Sequence, residues 1–369
     1  MIPSKKFSGY AGAICLLVAA FIACNGKASE KESLPLDTPV TIERFDRELP
    51  AYVQESDTAV SARFRERYAP FFPIYCRQIL GLGDAPDFRE GLNMFLTHEA
   101  IARLYADTES RFAGDSVWTT DLQQAFARYR EQFPQSTLPR ILTHVSGLNQ
   151  SIVTIDSLLS ISLDCYLGAD YPLYAQRYYD YERGLHESNR IAFDAVEVWL
   201  RTAYPYQSKR NALLDRMVYE GKILYALTSL FPDADVYRLL GYTDSQAQWC
   251  RDNEAEIWHQ VVARKHLFNT ESMLINKYVE PAPFVAVLHA ESPGRLGRWI
   301  GYQIVSRYAR DKKKSAAEML GTTDDAGEIL AESKQNEKNI RTGGLSLGTL
   351  VFPLVFPGEI CPRGDRRRL

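Results

Sequence analysis

Histidine is scarce in this sequence, six among 369 residues, and no two stand one turn apart around a glutamate. A zincin-type metal site needs that HExxH arrangement, because two imidazoles must reach one ion while the glutamate activates water. His98-Glu99 begins the pattern, but Ala102 stands where the second histidine belongs. His144, His186, His259, His266 and His289 have no metal-ligand spacing and read as surface or satisfied core residues. The six cysteines contain no CxxC pair, which excludes a zinc ribbon. Cys76, Cys165, Cys250 and Cys361 are scattered, so no disulfide is demanded. No GxSxG elbow, P-loop or strand-linked GxGxxG occurs, leaving α/β-hydrolase, nucleotide and dinucleotide chemistry unsupported. No cofactor is expected. Lysine and arginine form no large cluster outside the last few residues, and the formal net charge is −3, so nucleic acid is not an expected partner.

What is present begins at the N-terminus. Lys5 and Lys6 precede an uncharged run from Tyr10 to Ile22, and Ala23 stands before Cys24. A bacterial export signal has this charged, apolar and small-residue order. The run falls short of the roughly 20 apolar residues that cross a bilayer. Residues 1–23 therefore read as a lipoprotein signal peptide and Cys24 as the lipidated residue, with ordinary secretion after Ala23 as the alternative. Phe21 and Ile22 are bulkier than the usual lipobox residues. Residues 24–39, polar and holding Pro35 and Pro39, suit a flexible tether.

Beyond the tether, apolar residues recur mostly at spacings of three and four, which predicts a mainly α (α+β) fold: one large helical domain over residues 40–335. Short β-branched runs between Pro139 and Gly168 predict a small sheet, and VTIERFDREL at 40–49 a further strand. No repeat of 20–50 residues appears, so a solenoid is not expected. Three helices stand out after Arg210. The first carries Leu213, Met217, Glu220, Ile223, Leu224 and Leu227 on one face. The second starts at Thr243-Asp244-Ser245-Gln246, a capping box, and aligns Cys250, Asn253, Glu254, Ile257, Trp258 and Val261. The third starts at Ser292-Pro293, with Gly294, Gly297 and Gly301 near one face for close backbone packing.

Glu220 and Glu254 thus point inward on their helices. A lone buried carboxylate is strongly unfavourable, so each must be paired, protonated, hydrogen-bonded or solvated through a cleft. One reading makes them the floor of a polar pocket with Tyr219, Lys222 and Asn253 nearby; the other makes them an internal network that fixes helix register. Lys222, two residues along, cannot face Glu220 on the same helix, so Glu220 needs a partner from elsewhere.

Five strings stand in order along the chain: IERFDREL (42–49), SLDCYLGADYPLY (162–174), LLDRMVYEGKILY (213–225), GYTDSQAQWCRDNEAEIW (241–258) and ESPGRLGRWIGYQIVSRY (291–308). Together with AGEILAESK (326–334), they resemble the gliding-motility-associated lipoprotein GldB family of Bacteroidota-type bacteria. The resemblance implies an envelope lipoprotein of gliding motility without established catalysis, and leaves room for a broader envelope role. It also implies a distant likeness to zincin-like peptidases, with Glu220 at the place of the HExxH glutamate and Glu254 at that of a downstream ligand. That would make the fold a degenerate zincin-like scaffold without its metal. Residues 336–369 resemble nothing in the family, lack a stable helical or strand period, and are expected to be disordered.

The function expected is a non-enzymatic protein anchored by lipid to the periplasmic side of a membrane, supporting a motility or secretion apparatus by contacts with other envelope proteins. The alternatives are a degenerate hydrolase using Glu220 as general base, and a sugar- or peptide-binding module.

Overall fold

Four strands order the sheet β1-β2-β4-β3: β1 (Ile42–Glu43), β2 (Arg140–His144), β3 (Ile152–Ile155) and β4 (Leu158–Ser162). β2 pairs in parallel with both β1 and β4, while β3 and β4 form an antiparallel hairpin. The hairpin turns at Asp156-Ser157, where Asp156 takes a positive φ of 51°, a conformation that Asp tolerates in tight hairpin turns. β4 is buried at every position. Alternation explains that: Leu158 and Leu142 pack into an aromatic cluster on one face, whereas Leu159, Ile161 and Ile141 join the main helical core on the other. A strand buried on both faces reads as a nearly continuous apolar run, as LLSIS does.

The computed structural model describes residues 40–84, 88–114 and 117–333. The expected leader, Cys24 and the expected tether through residue 39, and Cys361 with the expected tail 336–369, lie outside the described residues. The described residues fall within one compact unit. They hold sixteen α-helices and this one small sheet, a mainly α (α+β) fold as the periodicity predicts. None of these helices is long and apolar enough to cross a membrane.

The segment 40–49 departs from expectation. Only Ile42–Glu43 is strand, and Phe45–Gln54 is helix. Phe45, Leu49, Tyr52 and Val53 recur at helical spacing and bury one face against Phe71, Phe72 and Tyr75. Phe45 meets Phe71 and Tyr75 edge to face, each with centroids 5.1 Å apart.

The helix Leu213–Leu230 lies at the centre of the main core. Eleven of its residues are buried, from Leu213 and Leu214 round to Ala226, so apolar neighbours surround most of it instead of covering one stripe. Against it packs the helix Leu296–Lys312. A methyl group on Gly301 would lie 1.7 Å from the Met217 carbonyl oxygen, and one on Gly221 would lie 2.2 Å from the Gly301 carbonyl oxygen. Glycine at both positions lets the two backbones touch.

Two helix boundaries differ from the sequence reading. The capping box at Thr243 forms, with Gln246 Oε1 accepting from the Thr243 N–H at 3.0 Å. Yet the helix ends at Asp252, and a second runs Glu254–Ala263. At the junction Asn253 leaves helical geometry, with φ −109° and ψ 11°, and its side chain donates to the Trp249 carbonyl at 2.8 Å, sharing that acceptor with its own N–H. The later helix starts at Leu296 and not at Ser292-Pro293. The Ser292 hydroxyl accepts from the Val285 N–H at 3.0 Å and donates to the His289 carbonyl, so it is unavailable as a cap. Gly294 consequently precedes the helix, packed on the Ala282 backbone.

Candidate functional site

Glu220 is 3 % exposed, and three arginines surround its carboxylate. Arg201, from the helix Ile191–Ala203, donates through Nη1 to Oε1 at 3.0 Å and through Nη2 to Oε2, a two-pronged fork. Arg298, from the helix 296–312, places Nε 3.2 Å from Oε2. Arg216, one turn before Glu220 on its own helix, lies 3.6 Å from Oε1. Glu197 completes the network: Oε1 accepts from Arg201 at 2.8 Å and from Arg298 at 2.7 Å. Burial alone would push the Glu197 carboxyl upward, but the charges of Arg298 and Arg201 hold it well below the usual carboxylate range. The glycine contact makes the network reachable, since Arg298 stands three residues before Gly301 on the same face. Three helices are therefore tied through two carboxylates and three guanidinium groups.

Tyr219 and Lys222 face another way. They line an open cavity of about 670 Å³ between residues 203–210, the 213–230 helix and residues 320–326. Tyr219 donates from its hydroxyl to the Tyr204 carbonyl at 3.0 Å, and its ring meets that of Tyr206 at 5.2 Å. The half-buried Lys222 donates to the Thr322 carbonyl at 3.3 Å. Burial pulls its ammonium below the ordinary lysine range; Asp324 opposes that pull and Lys314 adds to it.

The five residues expected to form one polar pocket are thus divided. Glu220 joins the buried arginine network, Tyr219 and Lys222 the cavity, and Asn253 the helix break. Glu254 is only partly buried and pairs with Arg307 Nη2 at 2.5 Å, across to the 296–312 helix. Asn253 and Glu254 are not among the residues lining the cavity.

Arg201, Glu197 and Arg298 were not singled out from sequence. One local signal was available: Glu197 and Arg201 are an i,i+4 pair within the largely apolar IAFDAVEVWLRTA. Nothing local announces Arg298, whose partner Glu197 lies 101 positions away.

Comparison with protein families gives a match between residues 26–337 and the family described as gliding motility protein GldB. The chain belongs to the GldB family. In this GldB-family chain, Arg216, Glu220, Tyr219 and Lys222 fall within the 213–225 string and Arg298 within the 291–308 string, whereas Glu197 and Arg201 lie outside both. No curated protein and no solved structure matches the chain.

Among the described residues, no three His, Cys, Asp or Glu side chains are grouped so as to hold a metal ion. Cys76, Cys165 and Cys250 are free and buried, and burial pushes each thiol up to about 12. His144 is fully buried, its Nδ1 2.8 Å from the Ser160 hydroxyl, and burial drives it down to about 3, so the ring is neutral. His186 stacks on Tyr178 with centroids 3.7 Å apart.

Proposed function

We propose that this chain is a lipid-anchored, non-enzymatic component of the cell-envelope apparatus of gliding motility, acting through contacts with other envelope proteins. Family membership supplies the setting. Support for the non-enzymatic reading comes from one observation: the carboxylate that the hydrolase alternative would use as general base, Glu220, is engaged by Arg201, with Arg298 and Arg216 beside it. A general base needs a lone pair within reach of the proton it removes. Here guanidinium groups occupy the oxygens that would have to accept it. The group therefore serves as a structural tie.

The lipid anchor is read from Ala23-Cys24 behind the apolar run. A diacylglycerol thioether with an N-acyl chain gives more than one hydrocarbon anchor, enough for lasting attachment where a single chain is marginal. The body would then stand off the periplasmic side of a membrane on its polar tether.

Two variants test this reading together. Cys24→Ala should move the protein from the membrane to the soluble fraction in detergent-free fractionation, and retention in the membrane would contradict the anchor. Glu220→Gln should lower stability while motility tracks the amount of folded protein. Full folding with abolished motility would favour the hydrolase reading instead.

A further inference from the structure

The cavity beside Tyr219 and Lys222 is within the roughly 300–1,000 Å³ range of small-molecule sites. Its carboxylates already have partners. Asp215 accepts from the Ser208 hydroxyl at 2.8 Å, from Arg210 at 2.9 Å and from the Ala212 N–H at 3.1 Å. Asp325 pairs with the same Arg210 at 3.0 Å and accepts from the Gly327 N–H at 2.7 Å. Asp324 accepts from Lys314 at 2.6 Å and from the Tyr308 hydroxyl at 2.7 Å.

Two lysines line the cavity; Lys209 is exposed, and Lys222 is half-buried. An ammonium has three N–H donors, and the acceptor found for that of Lys222 is the Thr322 carbonyl at 3.3 Å. Among the described residues no carboxylate stands within 4.0 Å of it. Asp324 acts on it only from beyond ion-pair distance, so the half-buried ammonium keeps a desolvation penalty that an incoming anion relieves. Beside it, Tyr204 and Tyr219 supply flat wall surface.

We propose that this cavity binds a small organic carboxylate, its single negative charge held by the Lys222 ammonium and its carbon skeleton lying against Tyr204 and Tyr219. Charge balance selects the class. Phosphate carries about −1.5 to −2 near neutral pH and would stand among Asp215, Asp324 and Asp325 with Lys222 as the half-buried lysine to offset it, since Lys209 is exposed to solvent. A monocarboxylate matches that lysine one to one, as a point-charge partner. The carboxylate belongs either to the C-terminus of a peptide or to a free low-molecular-weight acid.

Calorimetric titration of the full mature chain in detergent tests this, using N-acetyl-dialanine, its C-terminal amide, propionate and inorganic phosphate. The free-acid dipeptide should bind, and both the amide and the Lys222→Met variant should weaken binding about tenfold or more, the loss of one charge-assisted contact. Propionate binding as tightly as the dipeptide identifies a free acid as the ligand; weaker propionate binding identifies a peptide end. Equal binding of the amide, tighter binding of phosphate, or no carboxylate binding at millimolar concentration would overturn the proposal. A second readout needs no variant: the dipeptide should slow reductive methylation of Lys222, followed by mass spectrometry, and an unchanged rate would count equally against the site. Neither readout depends on Cys24, so failure here and failure of the membrane anchor are separable.

Discussion

The central helix carries two kinds of inward-turned charge, and they are treated oppositely. On the side packed against residues 296–312, Glu220 is nearly inaccessible and three arginines surround it. On the side facing the cavity, two residues along, Lys222 is half-buried and has a carbonyl for a partner. A buried charge is tolerated when compensated, as that of Glu220 is by the surrounding guanidinium groups. An ammonium with no carboxylate in ion-pair contact, next to open space, is where binding chemistry can still occur. Burial alone therefore does not locate a site; the balance of partners does.

The closed side should be the more fragile. Glu220→Ala removes the acceptor that holds Arg201 and Arg298 and leaves Glu197 as the one carboxylate of the network. Removing one partner of a buried ion pair costs about 3–5 kcal/mol, and a fall of that order in unfolding free energy by urea titration is expected. A loss below about 1 kcal/mol would mean that water, not the arginines, solvates this carboxylate. Gly301→Ala should come next. Its methyl would meet the Met217 carbonyl at 1.7 Å, and because the obstacle is backbone, neither helix can yield by rotating a side chain. Overpacking of this kind costs about 1–3 kcal/mol. Since Arg298 is brought to Glu220 by the same contact, combining Gly301→Ala with Glu220→Ala should cost less than the sum of the two, which a double-mutant cycle measures.

Much of this frame was legible beforehand, and the reasons are specific. The sheet between Arg140 and Ser162 follows from β-branched runs, and Glu220 could be turned inward because Met217, Ile223 and Leu224 share its side of a regular helix. The Thr243 cap is equally local. What escaped depends on contacts distant in sequence. Arg298 reaches Glu197 across 101 positions, and Lys222 reaches Thr322 across 100. Periodicity says which way a residue points on its own helix but not what stands opposite. The cavity is harder still, because the two segments that close it against the central helix, 203–210 and 320–326, have no pattern linking them. Asn253 was misplaced for a different reason: it stands at the junction of two helices, where the period on which the reading relied is interrupted.

Titration should separate the two sides with the smallest and most diagnostic effect. Glu197 is held below its ordinary value of 4.5 in the fold, so its contribution is present above that value and is lost as pH falls through the folded-state value. Lys222 is also depressed, from 10.5, but for a base the sign of the consequence differs: its burial weakens the fold at neutral pH, and stability recovers as pH rises from the folded-state value toward 10.5. Buried tyrosines such as Tyr242, whose hydroxyl burial pushes upward, act against folding at alkaline pH, so the comparison must be made between variants and not on one curve. Subtracting the Lys222→Met curve from the parent should leave a difference that rises with pH on the alkaline side and is flat in acid. The Glu197→Gln subtraction should be flat in alkali and fall in acid. If the two difference curves share one pH window, the charges on the two faces are coupled, and the division between a closed network and an open site is lost.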